Sequence, residues 1–215
     1  MQKASTRTLY DYWNSLRGAR SAPDRRDIDP TRIRAALSNT FILEANPEGQ
    51  FNFRLAGSHL CTAYARELKG RSFSQLWHNR DRDAVDTLIK AVTEDNAVAL
   101  VTFQAANVGN AAIPFEAILL PLRHNGSTTV RILGAMTALD EPYWLGIQPI
   151  VEQRISGLRL IWPDETGLAA TPRDLTAQFV DAATVIAAVH PGGRGLPPSA
   201  SRRYAHLSVI DGGRD

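Results

Sequence analysis

The sequence holds a single cysteine, Cys61, so no disulfide can close within the chain and no thiolate-rich metal cage can form. That usage fits a reducing compartment, and a cytoplasmic location is the expectation. Charge of one sign is also missing: 24 Lys and Arg stand against 22 Asp and Glu, a net +2 over 215 residues. Such a balance makes no electrostatic case for nucleic acid or for a membrane surface. Long apolar runs are absent. Nothing approaches the ~20 residues a bilayer-spanning helix requires, and the polar start Met1 to Arg7 leads into an amphipathic segment rather than a signal peptide. No cluster of His, Asp and Glu has metal-ligand spacing. What is present is an ordinary globular composition, 44% hydrophobic and 21% charged.

Periodicity gives the element order. Leu9, Tyr12, Trp13 and Leu16 recur at i, i+3, i+4, i+7, which predicts an N-terminal helix ending at Gly18. Asp29 and Pro30 offer a cap and a first-turn proline for a second helix with Ile33 and Leu37 on one side. From Phe41 the period drops to two: Phe41 to Leu43, a turn at Asn46 to Gly49, then Phe51, Phe53 and Leu55 predict a hairpin. Ser58 can cap a short helix carrying Leu60, Cys61 and Tyr64, and a further short segment holds Phe73, Leu76 and Trp77. Val85, Leu88, Ile89 and Val92 stripe a longer helix from Asn79 to about Asn96. Three strands follow, 97–106, 113–123 and 128–139, as a meander with an Asn125, Gly126 turn. Beyond Pro142, a strand is expected at Arg159 to Trp162 and a helix from Thr171. Pro191 to Arg203 has the composition of a linker, and Tyr204 to Ile210 is apolar enough to dock. The segments divide as 1–38 (N-terminal helical), 39–145 (core domain) and 146–215 (C-terminal extension with linker and docking tail).

The stretch Phe53 to Cys61, followed by Gly70, Arg71, Ser72, Phe73, Leu76 and Trp77, resembles the signature of a bacterial family of stand-alone PAS proteins. Tyr10 and Trp13, and the closing His206, Leu207, Val209, Gly212 and Gly213, resemble that family's terminal segments. The resemblance implies an α+β PAS fold, a five-stranded antiparallel sheet in the order 2-1-5-4-3 with helices on one face around a small-molecule cavity, plus the N-terminal helix. It also implies signalling: some members regulate sensor histidine kinases. No phosphoacceptor His box, ATP-binding domain or Gly-rich phosphate loop follows the PAS stretch. The expectation is therefore a non-catalytic regulator, not an enzyme, that binds signalling proteins such as histidine kinases through its sheet face or terminal segments. The alternative is a ligand-occupied sensor holding haem, flavin or a lipid-like metabolite. No cofactor is expected, and a small ligand stays open.

For the cavity, the resemblance points to Tyr64, Phe73 and Trp77, with Phe103, Phe115 and Glu116 from the strands; filled core is the plainer reading of the aromatics. Glu116 stands out because its neighbours are apolar on both sides, and a buried carboxylate needs partners. Arg54 and Arg131 read as solvated or paired on the sheet surface. Cys61 reads as a small buried hydrophobe, since Ser-His-Leu-Cys-Thr is not the Asn-Cys-Arg-Phe context of flavin-adduct cysteines. His59 and His78 are haem-ligand candidates, but neither lies on the stripe of the long helix, and capping or solvating that helix is the plainer reading of His78. The stripe of Leu9, Tyr12, Trp13 and Leu16 must be buried against its own sheet, a second copy or a partner. A partner or homodimer interface is the sharper expectation, and docking on its own sheet satisfies the stripe equally well.

Overall fold

The computed structural model describes residues 1–124 and 128–162. The expected Asn125, Gly126 turn, the helix from Thr171, the linker and the docking tail all lie outside the described residues.

Helix α1 (Ala4–Arg17) is followed by a 3-10 turn (Arg25–Asp27), a 3-10 helix (Pro30–Asn39), strands β1 (Thr40–Ala45) and β2 (Phe51–Ala56), and helix α2 (Ser58–Ala63). A 3-10 turn (Ser74–Leu76) leads to α3 (Asn79–Glu94), then β3 (Val98–Asn107), β4 (Ala112–His124), β5 (Thr128–Ala138) and β6 (Ile150–Ile161). The sheet is antiparallel in the order β2-β1-β5-β4-β3-β6. The five-strand order expected from the sequence is thus present and extended by a sixth strand, which pairs along the whole of β3 from Val98 opposite Ile161 to Asn107 opposite Ile150. β6 begins nine residues before the strand expected at Arg159 and belongs to the same sheet as the core domain, although the sequence assigns it to the extension. Its run Ile-Val-Glu-Gln-Arg-Ile-Ser-Gly alternates poorly, which hides it from a period-two reading.

Alternation sorts each strand between two cores. Phe41, Leu43, Phe53, Val101, Phe103, Phe115, Ala117, Ile132 and Met136 face α2 and α3. Ile42, Leu100, Ile118, Leu120, Leu122 and Leu133 face the other way, onto Leu9, Tyr12 and Trp13 of α1. Both faces of the central strands are covered, as the near-continuous apolar run in β4 requires.

This corrects the interface expectation for α1. Leu9 and Trp13 are completely buried, Tyr12 nearly so, and Leu16 is half-buried against the same cluster. The apolar stripe satisfies itself on its own sheet and is not open to a second copy or a partner. Polar contacts fix the docking: Trp13 Nε1 donates to Pro121 O at 2.8 Å, and Asp29 N donates to Tyr12 Oη at 2.6 Å. Gly18 ends the helix at φ +56°, a conformation costly for any residue with a Cβ.

Glu116 is corrected as well. Its neighbours Phe115 and Ala117 face the inner core, so strand alternation turns Glu116 to the outer face, away from any inner cavity. There it is buried at the start of α1, whose N-cap residue Lys3 provides no side-chain cap. The carboxylate accepts from Gln2 N at 2.8 and 3.0 Å, from Lys3 N at 3.3 Å and from the Thr6 hydroxyl. A strand residue therefore does the work of a helix cap, with negative charge at the positive end of the helix dipole. Glu116→Gln keeps the shape and removes the charge. We expect a loss of about 2 kcal/mol, the range for hydrogen bonds to charged groups, read from urea unfolding, with faster amide exchange confined to α1.

The second helix also departs from expectation. It is 3-10 and kinked at Ile33 (φ −114°, ψ 21°), capped as foreseen by Asp29 accepting from Thr31 N, with Ile33 and Ala36 buried. Leu37, expected to share a side with Ile33, is exposed beyond the kink.

Candidate functional site

Six aromatic rings run as a chain of contacts through the space between the helices and the inner sheet face. Phe41 and Phe53 meet at 5.6 Å between centroids, and Phe73 packs on both at 5.7 Å. Trp77 touches Phe73 at 5.8 Å and Phe103 at 4.9 Å, and Phe103 stacks on Phe115 at 5.2 Å. The expected cavity residues Tyr64, Phe73, Trp77, Phe103 and Phe115 do come together, each buried, but the rings pack on one another as core. The offset and edge geometries are those that aromatic quadrupoles favour.

Three polar groups within that core are unmatched. The Tyr64 hydroxyl, Trp77 Nε1 and both amide atoms of Gln153 are buried without a well-formed hydrogen bond, the Tyr64 hydroxyl and the Gln153 amide lying close enough to interact with each other. Gln153 reaches the interior from β6, opposite Ala105, and its carbonyl holds the backbone of His78, the residue after Trp77. Burial raises the Tyr64 phenol well above its ordinary value, opposed only in part by the nearby Gln153 side chain. The folded state therefore keeps the proton that the unfolded chain releases above pH 10, so stability is complete below pH 10 and falls as pH rises beyond it. Tyr64→Phe should remove this contribution, flattening the alkaline limb of a pH series of urea midpoints by up to about 1.4 kcal/mol per pH unit.

A cleft of about 480 Å³ opens at the neighbouring edge of the inner layer. Its floor is Leu60 and Ala63 of α2, Phe115 of β4, and Met136 and Ala138 of β5; Asn39, His59, Thr62 and Glu141 supply polar groups, the Thr137 hydroxyl being taken by Ser5 at 2.6 Å. The remaining wall is Pro142, Leu145 and Gly146 of the loop that leads into β6. Phe115 is the one expected cavity residue that lines it. His59, named from the sequence as a haem-ligand candidate, lines it too; the others the sequence did not single out as site residues, because a wall drawn from a 3-10 helix, α2, two strands and a loop leaves no local spacing. Trp144 is buried in the inner core, and Asn107 Nδ2 donates to Gln148 Oε1 at 2.6 Å, which tether this loop to the domain.

The remaining candidates fall outside the cleft or at its rim. His78 caps α3, its Nδ1 accepting from Arg80 N at 3.3 Å, and its Nε2 lies 3.3 Å from Glu152. Cys61 is half-buried, with Sγ 3.6 Å from Glu67. On the sheet surface Arg131 Nε donates to Glu44 at 2.9 Å, and Arg54 lies 3.6 Å from the same carboxylate. Among the described residues no three His, Cys, Asp or Glu side chains gather as a metal site, and no helix is long and apolar enough to cross a membrane.

A sheet of this order, with short helices and one long helix over its inner face, defines the PAS class of sensory domains. The sequence model of a PAS-domain family matches residues 1–137, and the chain belongs to that family. The match takes in α1 and ends within β5, before β6. Among solved structures, a light-oxygen-voltage domain studied with a flavin analogue is 19% identical, covering 53% of this chain and 85% of that one, with a TM-score of 0.42. A PAS domain from Colwellia psychrerythraea is 16% identical, over 52% of this chain and 98% of that one, with a TM-score of 0.39. A sensory box histidine kinase/response regulator from Burkholderia thailandensis is 12% identical, over 52% and 85%, with a TM-score of 0.35. No curated protein matches the sequence. A PAS sensory and signalling role follows from the family.

Proposed function

We propose that the chain is a cytoplasmic, non-catalytic bacterial PAS regulator that binds signalling proteins such as sensor histidine kinases. One observation carries the partner-binding part of this reading. Val108, Ile147 and Val151 are 75%, 78% and 56% exposed, and Tyr143, in the same loop as Ile147, is 86% exposed. The first three each stand one residue from a position joined across the β3 end: Asn107 pairs with Ile150 and holds Gln148. Large apolar side chains gathered at one corner of a soluble domain mark a contact surface. With α1 turned inward, this corner replaces it as the interface. The test is binding of the full chain to a panel of purified sensor histidine kinases from the source organism, by biolayer interferometry and kinase autophosphorylation. Ile147→Asp with Tyr143→Ser should weaken a positive interaction at least tenfold without lowering Tm. Equal binding by wild type and variant, or no kinase bound or modulated, counts against the reading.

The second reading, a ligand-occupied sensor, draws on the unmatched polar groups of Tyr64, Trp77 and Gln153, since each buried donor or acceptor without a partner is costly. A bound haem or flavin would colour the purified protein, and a lipid-like metabolite would appear as added mass under native conditions. A colourless sample at the mass of the bare chain would refute it.

A further inference from the structure

We propose that the cleft between α2 and the loop before β6 is a binding site for a small organic amine with a ring-sized apolar body. This deepens the regulator reading and rests on it for its biological consequence, though not for the binding itself. A volume of about 480 Å³ falls in the range of small-molecule sites. The apolar side of the cleft is lined by Leu60, Ala63, Phe115, Met136 and Ala138, of which Ala138 at 8% and Ala63 at 5% keep the most exposed surface for an apolar body to cover.

The head group is set by charge. Glu141 is the only side chain on the cleft that carries a fixed charge at neutral pH, and among the described residues it has no hydrogen bond or ion pair. Glu44 is engaged by Arg131 and Arg54, Glu116 by the start of α1, and Glu152 by Arg154 and His78; Asp11, Glu48, Glu94 and Asp140 are, like Glu141, unpaired among the described residues, but they do not line the cleft. The side chains of Asn39, His59 and Thr62 are likewise uncommitted among the described residues, and together they offer acceptors for ammonium protons. An anionic head would meet Glu141 with no cation on the cleft to offset it. A neutral head would forgo the charge-assisted bond.

Position makes the site consequential. One wall is α2 and the other is the loop through Pro142, Leu145 and Gly146 that continues into β6 and the exposed corner at Ile147. At Gly146, φ is +86° and an added Cβ would lie 3.2 Å from Thr62 Cγ2, so loop and helix already touch there. An amine bridging them favours the docked loop by its differential affinity for that arrangement.

The test is a titration of the full chain, followed by amide chemical shifts, with 2-phenylethylamine, its neutral analogue 2-phenylethanol and the anion phenylacetate. The amine should perturb Thr62, Ala63, Ala138, Leu145 and Gly146 saturably, bind at least fivefold tighter than the alcohol, and slow exchange of the loop amides. Phenylacetate should leave these signals unmoved. Glu141→Gln, an exposed change, should bring the amine down to the affinity of the alcohol and leave the alcohol unaffected. Ala63→Leu, with folding checked by circular dichroism, should block both. Equal affinities for amine and alcohol, saturable shifts away from the cleft, or no saturation would overturn the proposal. If the amine fails while a kinase still binds, the inference falls and the regulator reading stands. If the amine binds and no kinase responds, the reverse holds.

Discussion

Trp13→Ala is expected to lower Tm by roughly 8–16 °C, from a loss of about 4 kcal/mol at the 2–4 °C per kcal/mol usual for a chain of this size. The indole is wholly buried between α1 and the outer sheet face, stacked on Tyr10 at 6.2 Å. Truncation leaves a cavity that a helix bound by flanking contacts cannot close by sliding. It also strips Pro121 O of its donor at 2.8 Å, and that carbonyl sits in a strand residue buried beneath the helix. The result separates two roles for the N-terminal helix. A dimer-forming helix would lose assembly mass on substitution and keep most of its monomer stability. A helix that is part of the core loses stability at any protein concentration. Calorimetric melts at two concentrations tenfold apart, with sedimentation, make the distinction. A Tm drop below about 3 °C, which at this chain length corresponds to about 1 kcal/mol, would refute the core role.

Gly134→Ala is expected to cost about 3 kcal/mol, the upper part of the overpacking range, for the addition of one methyl group. Gly134 lies directly opposite Phe41 in the pairing of β1 with β5, and the Phe41 ring folds over it. A Cβ there would run into the ring and stand 2.8 Å from Ile118 O. The ring cannot swing away, because Phe53 and Phe73 hold it from the other side at 5.6 and 5.7 Å. Glycine is thus required by close packing, since Gly134 has no positive φ. Phe41→Leu in the same chain should return part of the loss, and a double-mutant cycle should give a favourable coupling of about 1 kcal/mol or more. Simple additivity would show that the clash is relieved elsewhere.

These two sites show what could be read before the fold was known. The apolar stripe of α1 was legible at 3.6-residue spacing, as was the burial it demands. Its covering partner was not, because a stripe records only that water must be excluded and is silent on what excludes it. Gly134 gave no signal, since a glycine that makes room for a ring in the next strand is indistinguishable in sequence from one in a turn. Glu116 was recognised as a carboxylate in need of partners, yet its side of the sheet was misjudged: the inner face holds Phe115 and Ala117, and alternation puts Glu116 opposite them. The cleft was legible at Phe115, and at His59 only as a haem-ligand candidate. Glu141, Leu145 and Gly146 come from a loop whose composition resembles any other, and Gln153 from a strand too polar to look like one.

Element order and the sheet's alternation follow from local spacing, since 3.6- and two-residue periods are properties of neighbouring residues, while membership of the PAS class was carried by the resemblance of Phe53 to Trp77 and by the family match. The covering of the outer face by α1, the sixth strand on β3, the aromatic filling of the interior and the cleft beside it were decided only in three dimensions. Each depends on which of several competent apolar surfaces meet, and that choice rests on shape and on buried polar partners contributed by residues far apart in the chain.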